Sequence, residues 1–419
     1  MNTDFPIKRF LIYSLFGKYD VNLNFENPIN IYIGENGIGK TTILNCIYNI
    51  LSRNFSGLLN INFSRIEIHM DNDIFSFSKS DSIELENISN IFGSLDNIKI
   101  EHNGLQVIKN KLKRKERNLF EYALYSNFIK YENKGNDFDI IKKAIAFFDR
   151  IRKYNILYFP TYRRIEEDLL KISPIEKNKD LQESLKEAIE SGTSLIKFGM
   201  DDVDIYIKNI MEKIRTTTIA GFSDLTTALL IYASQELKYK ENISTRDMEF
   251  ITSTLDRFCA EHPTDYHIRS NMTVSDILID NIRHIEGSQR VFDQKINDFA
   301  DTCNRYLVGK QFYYDKKKIE LKIKDDNGKE IKLSHLSSGE KQIVSIFSKI
   351  YLSENKSNII LFDEPELSLS IFWQRKLLVD IVKSKKCDFL ISTTHSPFIF
   401  ENELQEYTHP LFSFIKNKR

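Results

Sequence analysis

Gly34-Glu35-Asn36-Gly37-Ile38-Gly39-Lys40-Thr41-Thr42 is the stretch that decides the fold. It matches G-x-x-x-x-G-K-[ST] and lies where that pattern has a physical meaning, between a strand and a helix. Upstream, Ile29–Ile33 is a short apolar run that ends in glycine. Downstream, Ile43, Leu44, Ile47, Ile50 and Leu51 recur at helical spacing, so the loop opens an amphipathic helix. Glycines let such a loop curl around phosphates with its N–H groups pointing inward, and the helix adds its positive end. Lys40 is then placed to reach the β- and γ-phosphates, and the Thr41 hydroxyl to ligate Mg²⁺. Gly34, Glu35, Asn36, Gly37, Gly39, Lys40, Thr41 and Thr42 are therefore the first candidate ATP contacts.

Three further segments carry chemistry. Ile359-Ile360-Leu361-Phe362 followed by Asp363-Glu364-Pro365 reads as a buried parallel strand whose C-terminal end presents two carboxylates. Asp363 suits Mg²⁺, directly or through water, and Glu364 can act as the general base on an attacking water. Acid pairs after a strand also serve as helix caps; coupling to the phosphate loop favours the catalytic reading. Leu336-Ser337-Ser338-Gly339-Glu340-Lys341-Gln342 opens a helix over Ile343–Tyr351. Hydroxyls and a glycine at a helix start make an anion site, so Ser337, Ser338, Gly339 and Glu340 join the candidates; the same four residues also form a good capping sequence. His395, in Ser392-Thr393-Thr394-His395-Ser396, follows the last apolar strand, at the edge where α/β folds bind ligands. It can contact the γ-phosphate or hold the water that Glu364 activates. The candidate catalytic residues are thus Lys40, Glu364 and His395, and the candidate metal ligands Thr41 and Asp363.

Outward from these motifs the chain divides in character. Residues 1–110 read as strands around the phosphate loop, 111–310 as a helix-rich insertion, and 311–419 as strands and helices again. Met200, Val203, Ile207, Ile210 and Ile214 share one helix face, as do Phe292, Ile296, Phe299 and Cys303. These short runs predict packed helices or a short arm. Asp326-Asn327-Gly328 between two β-prone stretches predicts a hairpin. With 419 residues, two or three domains, or one core with a large insertion, are expected. Fifty-nine basic residues balance fifty-nine acidic ones, which argues against a surface basic all over and leaves local basic patches open. Cys46, Cys259, Cys303 and Cys387 are too scattered for a zinc or disulfide framework, and no apolar run is long enough to span a bilayer. A cytoplasmic protein with no membrane partner is the expectation.

The order of phosphate loop, LSSGE, apolar-Asp-Glu-Pro and histidine resembles the ATP-binding cassette ATPases, in the branch of the chromosome-maintenance, RecF and OLD proteins. The resemblance covers about residues 5–70 and 318–400 and implies an α/β fold, a split ABC-type ATPase head with a mixed sheet and flanking helices, interrupted by the helix-rich insertion. It implies ATP and Mg²⁺ as ligands. It implies that Ser337 and Gly339 close over the nucleotide of a second copy, in a head-to-head dimer or higher homo-oligomer that opens and closes with hydrolysis. Within the branch, Ile156–Glu166, Lys197–Val203 and Pro365–Gln374 are similar to bacterial defence ATPases of the Septu, PARIS and retron-associated kinds. Many of these act with a separate nuclease or toxin effector.

The pattern also departs from the family. Ser370 stands where transporters have Asp, Ser338 where a glycine is usual, and a Q-loop glutamine is not evident; Arg163 or Arg164 could face the phosphates instead, or pair with Glu166 or Glu167 on the surface. Phe16, Lys18 and Tyr19 lie where the superfamily often stacks adenine, with Tyr19 the candidate. The tail after His395 is too short for the nuclease domain of the OLD proteins, so the nuclease is expected on another chain. The alternative is a RecF-like repair ATPase that binds DNA directly through the basic run Lys109–Arg117, which reads equally as a solvated helix face. A nucleotide-clamped scaffold is disfavoured by the intact Asp363-Glu364 pair. The large insertion disfavours a transporter.

Overall fold

The computed structural model describes residues 7–71, 73–81, 143, 147–148, 150–161, 200–238, 246, 249, 253, 274–353 and 357–418. In chain order its strands are β1 (Ile7–Leu15), β2 (Tyr19–Asn24), β3 (Ile29–Ile33), β4 (Arg65–Met70), β5 (Ile74–Ser78), β6 (Tyr154–Phe159), β7 (Lys310–Asp315), β8 (Glu320–Asp325), β9 (Glu330–Ile331), β10 (Ser357–Asp363), β11 (Cys387–Thr394), β12 (Thr408–Pro410) and β13 (Ile415–Asn417). The longer helices are α1 (Lys40–Leu51), α2 (Met200–Lys238), α3 (Val274–Asn304), α4 (Ser338–Tyr351) and α5 (Ile371–Lys383). Two compact units result, Met1–Phe198 with Glu354–Arg419, and Gly199–Ser353. The α/β class, with mixed sheets and an interrupting helix-rich segment, agrees with the sequence reading.

The first unit holds two sheets. One is antiparallel in the order β13-β2-β1-β4-β5; the other is parallel in the order β12-β3-β11-β10-β6. In β10 every residue from Asn358 to Asp363 is buried, and β3 and β11 are almost as deep. That is why these strands read as unbroken apolar runs and not as alternating ones. β6 lies inside the stretch 111–310 that composition assigns to the insertion, yet it pairs in parallel with β10, Ile156 opposite Ile359 and Phe159 opposite Phe362. Six residues of apolar character among helical neighbours carry no period that separates strand from helix. One apolar core takes in Phe10 and Ile12 of β1, Ile43, Leu44, Ile47 and Ile50 of α1, and Leu361 and Ile391 of the parallel sheet. Helix α1 packs on β10 and β6, which fixes its first turn at the C-terminal edge of the sheet.

In the second unit α2 and α3 run antiparallel, since Thr218 meets Gln289 and Gly221 meets Ile285. A Cβ on Gly221 would fall 2.4 Å from Ile285 Cγ1, so the absence of a side chain there sets how closely the helices approach. At 39 and 31 residues they are longer than the short apolar runs suggest. The Asp-Asn-Gly hairpin forms as expected, with β8 antiparallel to β9, and β7 adds a third strand. Cys46, Cys303 and Cys387 are free and buried. Among the described residues no helix is long and apolar enough to cross a membrane.

One buried cation in this unit has a measurable signature. Burial pushes the Lys349 ammonium down to about 8, against the opposing charge and hydrogen bond of Asp202. From about pH 8 to 10.5 the unfolded chain therefore binds more protons at this position than the folded one, and stability contributed here rises with pH. Urea midpoints of wild type and Lys349→Met at pH 7.5, 8.5 and 9.5 are expected to differ most at the lowest pH, in favour of the Met variant, and to converge as pH rises. A constant difference would remove the buried charge as the cause.

Candidate nucleotide site

The C-terminal ends of β3, β10, β11 and β6 lie on one edge of the parallel sheet, and each delivers a side chain or loop with chemistry. After β3 the phosphate loop turns twice through left-handed backbone, at Gly37 (φ +88°) and Gly39 (φ +96°). Gly39 is the N-cap of α1 and gives no side-chain cap, and no acidic residue sits in the first turn. The opening N–H groups of the helix therefore meet no competing carboxylate from their own turn, as an anion site requires. The Lys40 ammonium is buried and donates to the carbonyls of Gly34 (2.8 Å) and Glu35 (3.3 Å) and to Asn36 Oδ1 (3.4 Å). It also lies 3.6 Å from Glu364 Oε1, an ion pair joining the loop to the end of β10.

Asp363 is fully buried and is the acceptor at the centre of the edge. Its Oδ2 accepts from Thr41 Oγ1 and Thr161 Oγ1, both at 2.6 Å, and its Oδ1 accepts from Thr393 Oγ1 at 2.6 Å. Burial, followed by the Asp363 charge and then Tyr48, pushes the neighbouring Tyr158 phenol far up, so it stays protonated. Glu364 follows in a left-handed conformation, φ +48°, held by its N–H on the Thr393 carbonyl at 2.8 Å. Such a residue without glycine's freedom stores about 1–3 kcal/mol of strain, which neighbouring bonds must offset. His395 Nδ1 lies 3.7 Å from Glu364 Oε1 and 3.1 Å from Glu366 Oε1, with the ring half exposed.

Lys40, Thr41, Asp363, Glu364 and His395, far apart in sequence, are thus brought to one sheet edge, with Gly34, Glu35, Asn36, Gly37, Gly39 and Thr42 in the same loop and helix start. Thr41 and Asp363 form a hydroxyl–carboxylate pair of hard oxygen donors, which fits Mg²⁺. No group of three or more His, Cys, Asp or Glu able to hold a metal occurs among the described residues.

Ser337, Ser338, Gly339 and Glu340 belong to the second unit. Ser337 caps α4 in a capping box: its Oγ accepts from Glu340 N, and its own N–H donates to Glu340 Oε2 at 2.8 Å. Lys310 Nζ reaches the same carboxylate oxygen at 3.0 Å. Burial would raise the Glu340 carboxyl, but the Ser337 N–H and Lys310 outweigh it and the net shift is downward. Glu340, which the sequence groups with the ATP contacts, is occupied in holding the segment's shape; Ser337 and Ser338 remain exposed.

Tyr19 packs against the core. It is Phe16, at the tip of the β1–β2 turn and 40% exposed, whose ring lies beside Gly39, 3.2 Å from where a Cβ would stand. Ser370, the departure from Asp, caps α5 by accepting from Trp373 N. Thr161, Thr393 and Glu366 were not anticipated. Each lies within three residues of a motif at the end of an apolar run, which was the available signal. Lys109–Arg117, Arg163, Arg164, Glu166, Glu167 and Cys259 lie outside the described residues.

A glycine-rich loop after β3 and an acid pair after β10, at the carboxyl ends of two strands of one parallel sheet with β11 between them, define a P-loop nucleotide-binding ATPase. The chain belongs to the AAA ATPase domain family, whose sequence profile matches residues 16–400. No curated protein matches it. Among solved structures it is similar to the Smc head domain with an extended coiled coil bound to the C-terminal domain of ScpA from Pyrococcus furiosus (15% identity, 95% of this chain and 91% of that chain, TM-score 0.38). An SmcHead bound to the C-winged helix domain of ScpA gives 12%, 95%, 91% and 0.38, and the Smc head domain with a coiled coil and joint from Pyrococcus yayanosii 12%, 95%, 93% and 0.35.

The Asp363 arrangement is open to a direct test. Thr393→Val removes a buried hydrogen bond to a charged acceptor and is expected to cost about 1.5–3 kcal/mol in chemical denaturation. Thr161→Val, at a half-buried hydroxyl sharing Oδ2 with Thr41, is expected to cost less. Equal or reversed costs would contradict the assignment of Asp363 as a closed, buried acceptor.

Proposed function

We propose that this chain binds and hydrolyses ATP with Mg²⁺ as an ABC-type ATPase of the chromosome-maintenance, RecF and OLD branch, and that as a cytoplasmic homo-oligomer it regulates a separately encoded nuclease or toxin effector in defence against phage. The convergence of Lys40, Thr41, Asp363 and Glu364 on one sheet edge carries the ATPase part. The defence part rests on the resemblance of Ile156–Glu166, Lys197–Val203 and Pro365–Gln374.

In this reading the phosphates lie on the N–H groups of the loop and of the first turn of α1, with Lys40 between the β- and γ-positions. Thr41 and Asp363 hold Mg²⁺, which when bound supplies positive charge against the phosphates. Glu364 takes a proton from the attacking water, and its ion pair with Lys40 sets the carboxylate beside the γ-position. His395, next to Glu364, orders that water or meets the γ-phosphate. Ser337, Ser338 and Gly339 act on the nucleotide of a second copy, and the exposure of both serines suits such a role. The domain scheme of head, insertion and head goes with this proposal, with β6 (Tyr154–Phe159) assigned to the head sheet and the rest of 111–310 serving contacts with partners or the trigger.

Lys40→Ala is expected to abolish binding of a fluorescent ATP analogue. Glu364→Gln keeps binding, lowers kcat about 10²–10⁴-fold, as loss of a general base does, and accumulates an ATP-bound dimer in size-exclusion chromatography. Near-normal turnover in both variants would overturn the site assignment. In cells carrying the gene with its neighbouring reading frames, Lys40→Ala is expected to abolish protection in plaque assays, and undiminished protection would overturn the coupling of defence to ATP.

Phe16 is assigned the adenine contact in place of Tyr19. Stacking on an aromatic ring contributes about 1–3 kcal/mol per base, so Phe16→Ala is expected to weaken ATP binding about tenfold and Phe16→Trp to retain it. Wild-type affinity in the Ala variant would return the ring to a purely structural role.

A further inference from the structure

Beyond Glu364 the chain passes through Pro365 to Glu366, a carboxylate the hydrolysis scheme leaves unused. It is 5% exposed. Its Oε1 accepts from Thr394 Oγ1 at 2.8 Å and from two successive main-chain N–H groups, His395 at 3.0 Å and Ser396 at 3.2 Å. The same oxygen lies 3.1 Å from His395 Nδ1. Its Oε2 is buried and has no hydrogen-bond partner. From the other side, Gln374 of α5 donates to the carbonyls of Glu366 (3.2 Å) and Leu369 (3.0 Å), and its Oε1 accepts from Ser396 Oγ at 2.8 Å.

Packing alone gives no reason for an acid here. Taking a carboxylate out of water costs several kcal/mol, and one of its oxygens is left unsatisfied. What the charge achieves is directional. Consecutive N–H groups converging on one anionic oxygen fix the backbone between them, and charge-assisted bonds are about twice as strong as neutral ones. The backbone so fixed carries His395, whose ring stands 3.7 Å from Glu364. We propose that Glu366 is a positioning residue for ATP hydrolysis, its Oε1 clamping Thr394–Ser396 so that His395 is held beside Glu364. The proposal rests on the ATPase reading above. Lys40 and Thr41 are held by other groups, and with His395 in its water-ordering role the clamp acts on turnover and not on nucleotide affinity.

Three proteins and three measurements decide it. Glu366→Ala is expected to lower kcat about 10–100-fold, at or below the low end of what a placed acid–base group contributes because His395 is displaced and not removed, with KM and the Kd of a fluorescent ATP analogue unchanged within about threefold, less than 1.4 kcal/mol. Glu366→Gln keeps an amide oxygen that accepts the same N–H bonds and is expected to restore most of kcat. In the nucleotide-free proteins, amide hydrogen exchange of His395 and Ser396 is expected to speed up in the Ala variant, to stay near wild type in the Gln variant, and to leave Gly37–Thr41 unchanged in both. Unchanged kcat or unchanged exchange in the Ala variant overturns the clamp, as does equal loss of affinity and turnover. If the Ala variant does not fold, a folded Gln variant that keeps its amide protection and loses turnover also overturns it. Wild-type protein without turnover sinks the ATPase reading, while the exchange data still decide whether Glu366 holds the segment.

Discussion

A single buried carboxylate ties the nucleotide edge together. Asp363 ends β10, and its two oxygens take hydroxyl protons from Thr41, Thr161 and Thr393. Those threonines come from the helix after β3, the residues after β6 and the end of β11. Four strands of the parallel sheet are therefore drawn to one point. Burying the charge costs several kcal/mol, and three hydrogen bonds to a charged acceptor, at about 1.5–3 kcal/mol each, are of the size needed to offset it. The balance makes Asp363 a register mark more than a source of stability: a shift of any of these strands by one residue would turn a threonine away and leave the charge uncompensated.

Around that point the other charged groups are arranged in pairs that share members. Lys40 faces Glu364, and His395 faces both Glu364 and Glu366. Glu364 is held at φ +48° by its N–H on Thr393, the residue whose side chain binds Asp363. The strained backbone of the candidate base is thus locked by the strand that also serves the candidate metal ligand. Strain of this kind persists only where the surroundings over-determine it. Here the lock consists of β11 on one side and, on the other, Lys40 of the phosphate loop at 3.6 Å from Glu364 Oε1, the loop itself being joined to β11 where Gly34 N–H meets the Thr394 carbonyl at 3.4 Å.

The parts of this edge legible in the sequence were those with a local signature. Gly34–Thr42 and Phe362–Glu364 combine a residue pattern with the apolar run that precedes it, and both landed where the pattern requires. His395 was legible only by position, one residue past a strand. Thr161, Thr393 and Glu366 were not legible because their roles are made by pairing: a threonine after an apolar run is ordinary until parallel register with β10 sets it against Asp363. β6 was hidden for a related reason, since Tyr154–Phe159 is too short to show a period and lies among helical sequence. Phe16 and Tyr19 were separated only by the tight turn at Gly17 (φ +74°), which puts one ring on the phosphate loop and the other on the core.

The Ser337–Glu340 segment shows how a structural role and a functional one can occupy the same residues. The capping box uses the Glu340 carboxylate and the Ser337 N–H, and Lys310 neutralises the acid. An unneutralised carboxylate at this helix start would repel a phosphate, so its withdrawal into a buried cap is what any anion site here requires. What the cap leaves outward is a pair of exposed serines at the positive end of α4. Glu340 is then best understood as shaping the segment rather than touching a ligand. The usual glycine gives way to Ser338 at no conformational cost, because that position is already the first residue of the helix.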